Sequence, residues 1–190
     1  MFKMETYTLE LCGLKRELPL AFVGRTTQLA SFSLLGDAEL TTKIAEKLHK
    51  ILKQVQDDNG ECIIVGPEVK VVPLLQELAG KLGHKKYIVC RKSVKPGMLN
   101  PIILKPLPHF PKHVKQLVLD GQDAKLLNGK KVVIIDDVIS TGVTMRMMAH
   151  LMKKIGAEVV LMAAVLKQGE QFDKFDNLLT LAELPVFKVE

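Results

Sequence analysis

The chain has 190 residues, of which 47% are hydrophobic and 25% are charged. This length and composition are typical of one globular domain and argue against two full-sized domains. The net charge of +6 predicts anionic partners, such as phosphates or nucleic acid. Tryptophan is absent and aromatic residues make up only 5%, so few rings are available to stack on the bases of single-stranded nucleic acid.

No segment of the sequence indicates export or membrane insertion. The first eight residues lack the apolar run of a secretory signal. The longest apolar stretch, residues 159–166, is far shorter than the roughly 20 residues of a membrane helix. Three cysteines without C-x-x-C spacing are typical of a reduced compartment, with a Cys₃ metal site as a remote alternative. We therefore expect a soluble, cytoplasmic protein without a membrane partner.

The first part of the chain has the pattern of strands. Tyr7, Leu9 and Leu11 alternate with polar residues before a turn at Gly13, which predicts a hairpin or small cap within residues 5–23.

Between residues 37 and 166, helical and strand periodicity alternate. Apolar spacing predicts helices over residues 37–55, 72–82 and 142–155, and Gly83 and Gly156 are suited to end the last two. A strand is predicted over residues 116–120, after the long loop described next. Continuous apolar runs predict strands over residues 62–65, 87–90, 132–135 and 159–166. Such strands are typical of a parallel sheet covered by helices on both faces, so we predict an α/β fold.

Residues 91–115 interrupt this alternation. The segment carries five prolines and six basic residues but no acidic residue. The basic residues are Arg91, Lys92, Lys95, Lys105, Lys112 and Lys115. Loops of this length inside a compact domain are uncommon and are often functional. A mobile, anion-binding lid and a solvated connection are about equally compatible with the composition.

The most informative stretch covers residues 132–144, with the sequence VVIIDDVISTGVT. A buried strand ends in the adjacent carboxylates Asp136 and Asp137, and a turn of small residues then leads into a helix. In open α/β sheets, ligands bind at the carboxyl ends of the strands, where this turn must lie. The stretch therefore predicts a binding site.

The turn has the features of a phosphate-binding loop. Its free backbone N–H groups, its hydroxyls and the helix dipole together form an anion cradle, and Gly142 lets the backbone approach a phosphate closely. The cradle consists of Ser140, Thr141, Gly142, Val143 and Thr144. The two carboxylates would repel a phosphate at the same place, so they should face sugar hydroxyls or Mg²⁺. A phosphate site beside a diol site describes a ribose 5-phosphate.

The alternative interpretation is an ordinary strand followed by an N-capped helix. Ser140 or Thr141 would then be the cap, and the two carboxylates would lie in solvent. Short pieces such as Asp-Asp are common, and each alone favours that interpretation. The whole stretch is far more specific.

As a whole, this stretch resembles the phosphoribosyl pyrophosphate binding motif of type I phosphoribosyltransferases. That motif has four apolar residues, two acids, two apolar residues and a small-Thr-Gly-x-Thr turn. Other features follow in the family's order: a sheet-end loop over residues 66–70, the basic pair Arg91-Lys92 opening a long lid, and a C-terminal extension. The resemblance covers about residues 36–190.

The resemblance implies a parallel twisted sheet flanked by helices, with a small hood at both ends of the chain. Residues 1–36 would form the N-terminal hood segment and residues 171–190 the C-terminal one. Residues 37–170 would form the core, with the lid at residues 91–115.

The resemblance also implies an activity: Mg²⁺-dependent transfer of ribose 5-phosphate from phosphoribosyl pyrophosphate to a purine base, in a homodimer without nucleic-acid partners. Asp136 and Asp137 would hold the ribose hydroxyls, and Mg²⁺ through those hydroxyls or water. Pyrophosphate would bind at Val69, Lys70, Arg91, Lys92 and Lys95. The base would contact Val138 and Lys167, although a surface lysine is the commoner interpretation of Lys167.

Within the family, the start of the lid and the Gly-Gln-Asp sequence at residues 121–123 most resemble the adenine branch. Ser140 also stands where enzymes for 6-oxopurines usually carry an Asp. Against adenine, the lid lacks the Glu of that branch, residues 28–34 lack its Arg-Asp pair, and Lys167 would suit a 6-oxo group. Adenine is the expected base, with hypoxanthine, guanine or xanthine as the alternative. The general acid or base is not identified.

Two functions other than catalysis fit the same residues less well. A regulator that binds phosphoribosyl pyrophosphate would need a DNA-binding segment, and the residues before the first helix show no helix-turn-helix pattern. RNA binding through the basic lid would need interleaved aromatic residues, of which the lid offers only Phe110.

Overall fold

The computed structural model of the protein describes residues 5–110, 114–169, 175 and 177–189. Lys112 of the expected lid and most of residues 170–176, in the expected C-terminal hood, lie outside the described residues. No helix in the described part is long and apolar enough to cross a membrane.

Strands and helices alternate through most of the chain. In chain order the elements are β1 (Thr6–Leu11), β2 (Leu14–Phe22), β3 (Thr27–Ala30), α1 (Ala38–Asn59), β4 (Cys62–Pro67), α2 (Val72–Leu82), β5 (Ile88–Cys90), β6 (Ile102–Leu104), β7 (Leu117–Leu119), α3 (Gly121–Leu127), β8 (Lys131–Ile139), α4 (Val143–Lys154), β9 (Glu158–Gln168), β10 (Leu178–Leu184) and β11 (Val186–Lys188).

The core is a five-stranded parallel sheet with the strand order β10-β9-β8-β4-β5. The central strand β8 is buried on both faces, as its apolar run predicts. Val133 and Ile135 pack into one hydrophobic cluster with α1 and α2, whereas Val132 and Ile134 pack into the other with α3 and α4. The predicted fold, a twisted parallel sheet flanked by helices, is confirmed.

The three predicted helices are present with small shifts at their ends. Helix α2 has the predicted limits and ends at Gly83, which adopts the left-handed conformation with φ of 71°. Helix α1 continues four residues beyond its predicted end, to Asn59. Its N-cap is Asp37, whose carboxylate accepts from the Leu40 N–H and from the Arg16 guanidinium, so this cap also ties the helix to β2.

A second, antiparallel sheet has the order β1-β2-β3-β11 and contains the predicted hairpin. The chain's last described strand, β11, pairs with β3 and so brings both ends of the chain together. Strand β10 instead extends the parallel sheet beside β9, so residues 178–184 differ from their expected place in the hood. The division into residues 1–36, 37–170 and 171–190 therefore stays a prediction, although β10, from the third of these segments, belongs to the core sheet.

The expected lid is not a loop throughout. Residues Ile102–Leu104 form β6, which pairs antiparallel with β7. Pro101 and Pro106 lie just outside this strand, so they do not interrupt its pairing. Arg91 forms a further antiparallel bridge to Val118. The lid's described residues are therefore held to the rest of the protein at its start and near its middle.

Candidate functional site

The carboxyl ends of β4, β5 and β8 meet around one cavity of about 290 Å³. It is lined by Pro67, Glu68, Val69, Lys70, Lys92, Asp136, Asp137, Val138 and Thr144. A larger cleft of about 610 Å³, near α3, has no carboxylate in its lining. The chemistry of the lining, rather than the volume, therefore identifies the first cavity as the candidate site.

The sequence places the two carboxylates at this site through β8, which carries them to the edge of the sheet. Both side chains are buried. One oxygen of Asp136 accepts the backbone N–H of Asp137 at 2.8 Å. Burial, and then the neighbouring charge of Asp137, raise the pKa of Asp136 well above its usual value.

The other carboxylate has an unsatisfied atom. Asp137 Oδ2 is buried without a hydrogen-bond partner among the described residues, and the nearest cation, Lys70 Nζ, is 4.0 Å away. A buried, unpartnered carboxylate oxygen is costly unless a ligand supplies a donor or a cation. The site therefore has room for a hydroxyl group or a metal ion at Asp137.

Lys70 links this cavity to the antiparallel sheet. Its ammonium donates to the carbonyl of Phe32, between β3 and α1, at 2.9 Å, and its side chain is about half exposed. Lys70 is thus held over the cavity by one neutral acceptor and remains able to donate to an anion.

The turn after β8, where an anion cradle is expected, leaves the start of α4 uncapped. Gly142 is the N-cap of α4 with φ of 70°, and no side chain caps the first turn of the helix within the described residues. The nearest substitute is a 3.4 Å contact from the Val143 N–H to the Thr141 hydroxyl. Because these N–H groups lack strong partners, they are available to a phosphate.

The structure gives a reason for glycine at position 142 other than the expected close approach of a phosphate. The left-handed φ disfavours other residues, and a Cβ here would lie 2.8 Å from the ring of Phe175. The Arg146 guanidinium lies 4.8 Å from the centre of the same ring, as in a cation–π contact. Phe175 thus covers one side of the cradle.

Three predicted binding residues have other partners in the structure. Arg91 donates to the Glu68 carboxylate at 3.5 Å, and Lys95 donates to the Ser93 hydroxyl at 2.9 Å. Lys167 forms an ion pair with Glu183 of the neighbouring strand β10. Arg91, Lys95 and Lys167 are absent from the lining of the cavity, so their roles stay predictions.

Sequence reasoning missed two residues of the site. Glu68 lies directly after the apolar run of β4, and its position at a strand's carboxyl end could have indicated a role. In the sequence, Phe175 stands between polar residues, in a segment without clear periodicity. No local pattern therefore indicated a role for it.

The comparisons with known proteins identify one family. Residues 36–179 match the family model described as a phosphoribosyl transferase domain. The hypoxanthine/guanine phosphoribosyltransferase of Methanotorris igneus is 30% identical over 133 residues, which are 67% of this chain and 64% of the relative. The adenine phosphoribosyltransferase of Pseudothermotoga lettingae is 33% identical over 112 residues, which are 59% of this chain and 62% of the relative. The matches thus span less than two thirds of both relatives.

Solved structures show the same fold. The adenine phosphoribosyltransferase of Leishmania tarentolae superposes with a TM-score of 0.66 at 19% identity, covering 95% of this chain and 84% of that chain. A hypoxanthine phosphoribosyltransferase of Staphylococcus aureus superposes with a TM-score of 0.54 at 13% identity, covering 80% and 88%. At these identities, the likeness concerns the fold alone.

Proposed function

The chain belongs to the phosphoribosyl transferase family, and on that premise we propose that it is a purine phosphoribosyltransferase. It would transfer ribose 5-phosphate from phosphoribosyl pyrophosphate to a purine nitrogen and release pyrophosphate. Adenine is the proposed acceptor.

One observation carries this proposal: a buried carboxylate pair lies shortly before an uncapped helix N-terminus, and the pair lines a cavity together with two lysines and Thr144 of the first helical turn. The helix N-terminus suits a 5-phosphate, and the carboxylates suit the 2′ and 3′ hydroxyls. Lys70 and Lys92 suit a pyrophosphate group on the opposite side of the sugar.

These residues would promote transfer mainly by holding the sugar and stabilising charge. As the bond at C1′ breaks, positive charge grows on the sugar and negative charge grows on the leaving pyrophosphate. Lys70 and Lys92 would stabilise the leaving group, while Asp136 and Asp137 would fix the sugar so that the nucleophile and the leaving group lie in line. Closure of the lid would exclude water that could intercept the sugar cation.

The site also fits Mg²⁺ bound together with its substrate. The described residues contain no group of three or more His, Cys, Asp or Glu side chains that could hold a metal by themselves. Mg²⁺ is usually bound by one or two carboxylates together with substrate phosphates, and the unpartnered oxygen of Asp137 fits that donor set. Asp136 and Asp137 would hold the ion directly, through water or through the ribose hydroxyls. When bound, the ion would neutralise charge on the pyrophosphate.

The structure adds one argument on the identity of the base. Lys167 lies beside Ile139 at the carboxyl end of β9, where a donor could meet a 6-oxo group. Its ion pair with Glu183 makes it less available as a donor, which favours adenine. A 6-oxopurine remains the second candidate, because relatives such as the Methanotorris igneus protein are named hypoxanthine/guanine phosphoribosyltransferases.

The test is pyrophosphate release with phosphoribosyl pyrophosphate, Mg²⁺ and a panel of adenine, hypoxanthine, guanine, xanthine, orotate and uracil. We expect adenine to have the highest kcat/KM, with the 6-oxopurines at least about tenfold lower. A preferred 6-oxopurine whose advantage disappears in Lys167→Ala would overturn the adenine assignment. Binding of phosphoribosyl pyrophosphate without turnover of any base would indicate a regulator instead. A homodimer in the cytoplasm stays a prediction.

A further inference from the structure

Glu68 and Arg91 are neighbours because of how β4 and β5 pair. Pro67 lies opposite Cys90 in this parallel pair, and the Glu68 N–H donates to the Cys90 carbonyl at 2.8 Å. The next residue on each strand then lies at the same edge of the sheet. Glu68 accordingly accepts the Lys92 backbone N–H at 2.9 Å and the Arg91 guanidinium at 3.5 Å.

The Glu68 carboxylate faces the same cavity as the expected pyrophosphate ligands. It lines that cavity together with Lys70 and Lys92, and its side chain is only 16% exposed. A negative charge in a partly buried site opposes the binding of an anion, because solvent screens it incompletely. A neutral glutamine could accept the same Lys92 N–H, so the charge itself matters only for Arg91 and for the ligand.

We propose that Glu68 is a positioning residue that competes with pyrophosphate for Arg91. In the free protein it holds Arg91 and the first turn of the lid, residues 91–115, against the loop that follows β4. When a pyrophosphate group binds, Arg91 moves from Glu68 to the ligand. The remaining charge of Glu68 then limits the affinity for the ligand and speeds the release of the product. This inference rests on the proposed function.

The test is calorimetric titration of the full chain with magnesium pyrophosphate, at low and at moderate salt. Glu68→Gln should bind about tenfold more tightly than the wild type, with a smaller gain at higher salt. Glu68→Asp keeps the charge but shortens the side chain, so it should not bind more tightly. Glu158→Gln removes the same charge at the opposite end of the sheet, where β9 begins, and should bind like the wild type.

Turnover gives a second readout that a purely structural role would not produce. In Glu68→Gln, KM for phosphoribosyl pyrophosphate and kcat should both fall, because substrate binding tightens and product release slows. Unchanged or weaker pyrophosphate binding in Glu68→Gln, with a wild type that does bind, would overturn the inference alone. A wild type that binds neither magnesium pyrophosphate nor phosphoribosyl pyrophosphate would overturn the proposed function itself.

Discussion

The two sides of the site hold their charges in opposite environments. On β8, Asp136 and Asp137 are buried, and the adjoining turn is fixed by the left-handed Gly142. At the start of the lid, the Arg91 and Lys92 side chains extend from exposed residues. Buried charges interact strongly with a ligand and cannot relax into water, whereas exposed charges are screened.

We therefore expect the β8 side to bind the sugar phosphate and the lid side to close over it. The β8 side is formed before any ligand arrives, so substitutions there should cause the larger losses. On the proposal that Arg91 exchanges Glu68 for the ligand, substitutions on the lid side should have smaller effects that are more sensitive to salt.

The largest effect should come from Gly142→Val. A β-branched residue at φ of 70° is strained, and its Cβ would lie against the Phe175 ring, so the cradle must distort. Calorimetry should detect no binding of ribose 5-phosphate. Gly13→Val is the control, since Gly13 has φ of 79° but open space around its Cβ position, and it should keep the wild-type affinity. Wild-type affinity in Gly142→Val would mean that the phosphate binds elsewhere.

Asp137→Asn should produce the next largest loss. A hydrogen bond that involves a charged group contributes roughly 1.5–3 kcal/mol, so kcat/KM for phosphoribosyl pyrophosphate should fall about ten- to a hundredfold in a folded protein. The same substitution at the exposed Asp58 of α1 should leave the kinetics unchanged. If Asp136→Asn and Asp137→Asn both retain full activity, the assignment of the carboxylates to the ribose hydroxyls is wrong.

The local, contiguous part of the site could be predicted from the sequence. The strand, carboxylate pair, turn and helix of residues 131–154 follow one another along the chain, so short-range periodicity and turn chemistry define them. Residues that meet through pairing were harder to predict. β6 has three residues, too few for a periodic signal. The strand β7 was predicted, but its pairing with β6 was not, and β11 pairs with β3 across most of the chain. The contact of Glu68 with Arg91 likewise depends on β4 and β5 being neighbours.

Burial of the carboxylate pair should also be visible in the pH dependence of stability. The pKa of Asp136 is raised in the folded protein, so its contribution to stability is fully present below the unfolded value near 3.8 and is lost as the pH rises. The free energy of unfolding of the wild type should therefore fall relative to that of Asp136→Asn as the pH rises above about 4, with a slope of up to ~1.4 kcal/mol per pH unit. Urea denaturation at several pH values measures this difference. A difference that is constant with pH would contradict the buried, repelled carboxylate.

The smallest expected effect is the change in protease cleavage of the lid when the ligand binds. Trypsin should cleave the free protein after exposed lid residues such as Lys92 and Lys115, and Mg²⁺ with phosphoribosyl pyrophosphate should slow that cleavage. Equal rates with and without the ligand would contradict a closing lid.

We propose that residues 136–144 hold the ribose 5-phosphate half of the substrate. A crystal structure of the protein with ribose 5-phosphate would show whether they do. We expect the phosphate at the N–H groups of the turn that precedes α4 and the 2′ and 3′ hydroxyls at Asp136 and Asp137. A sugar phosphate bound at another cavity, with Asp137 Oδ2 still unpartnered, would show that this assignment is wrong.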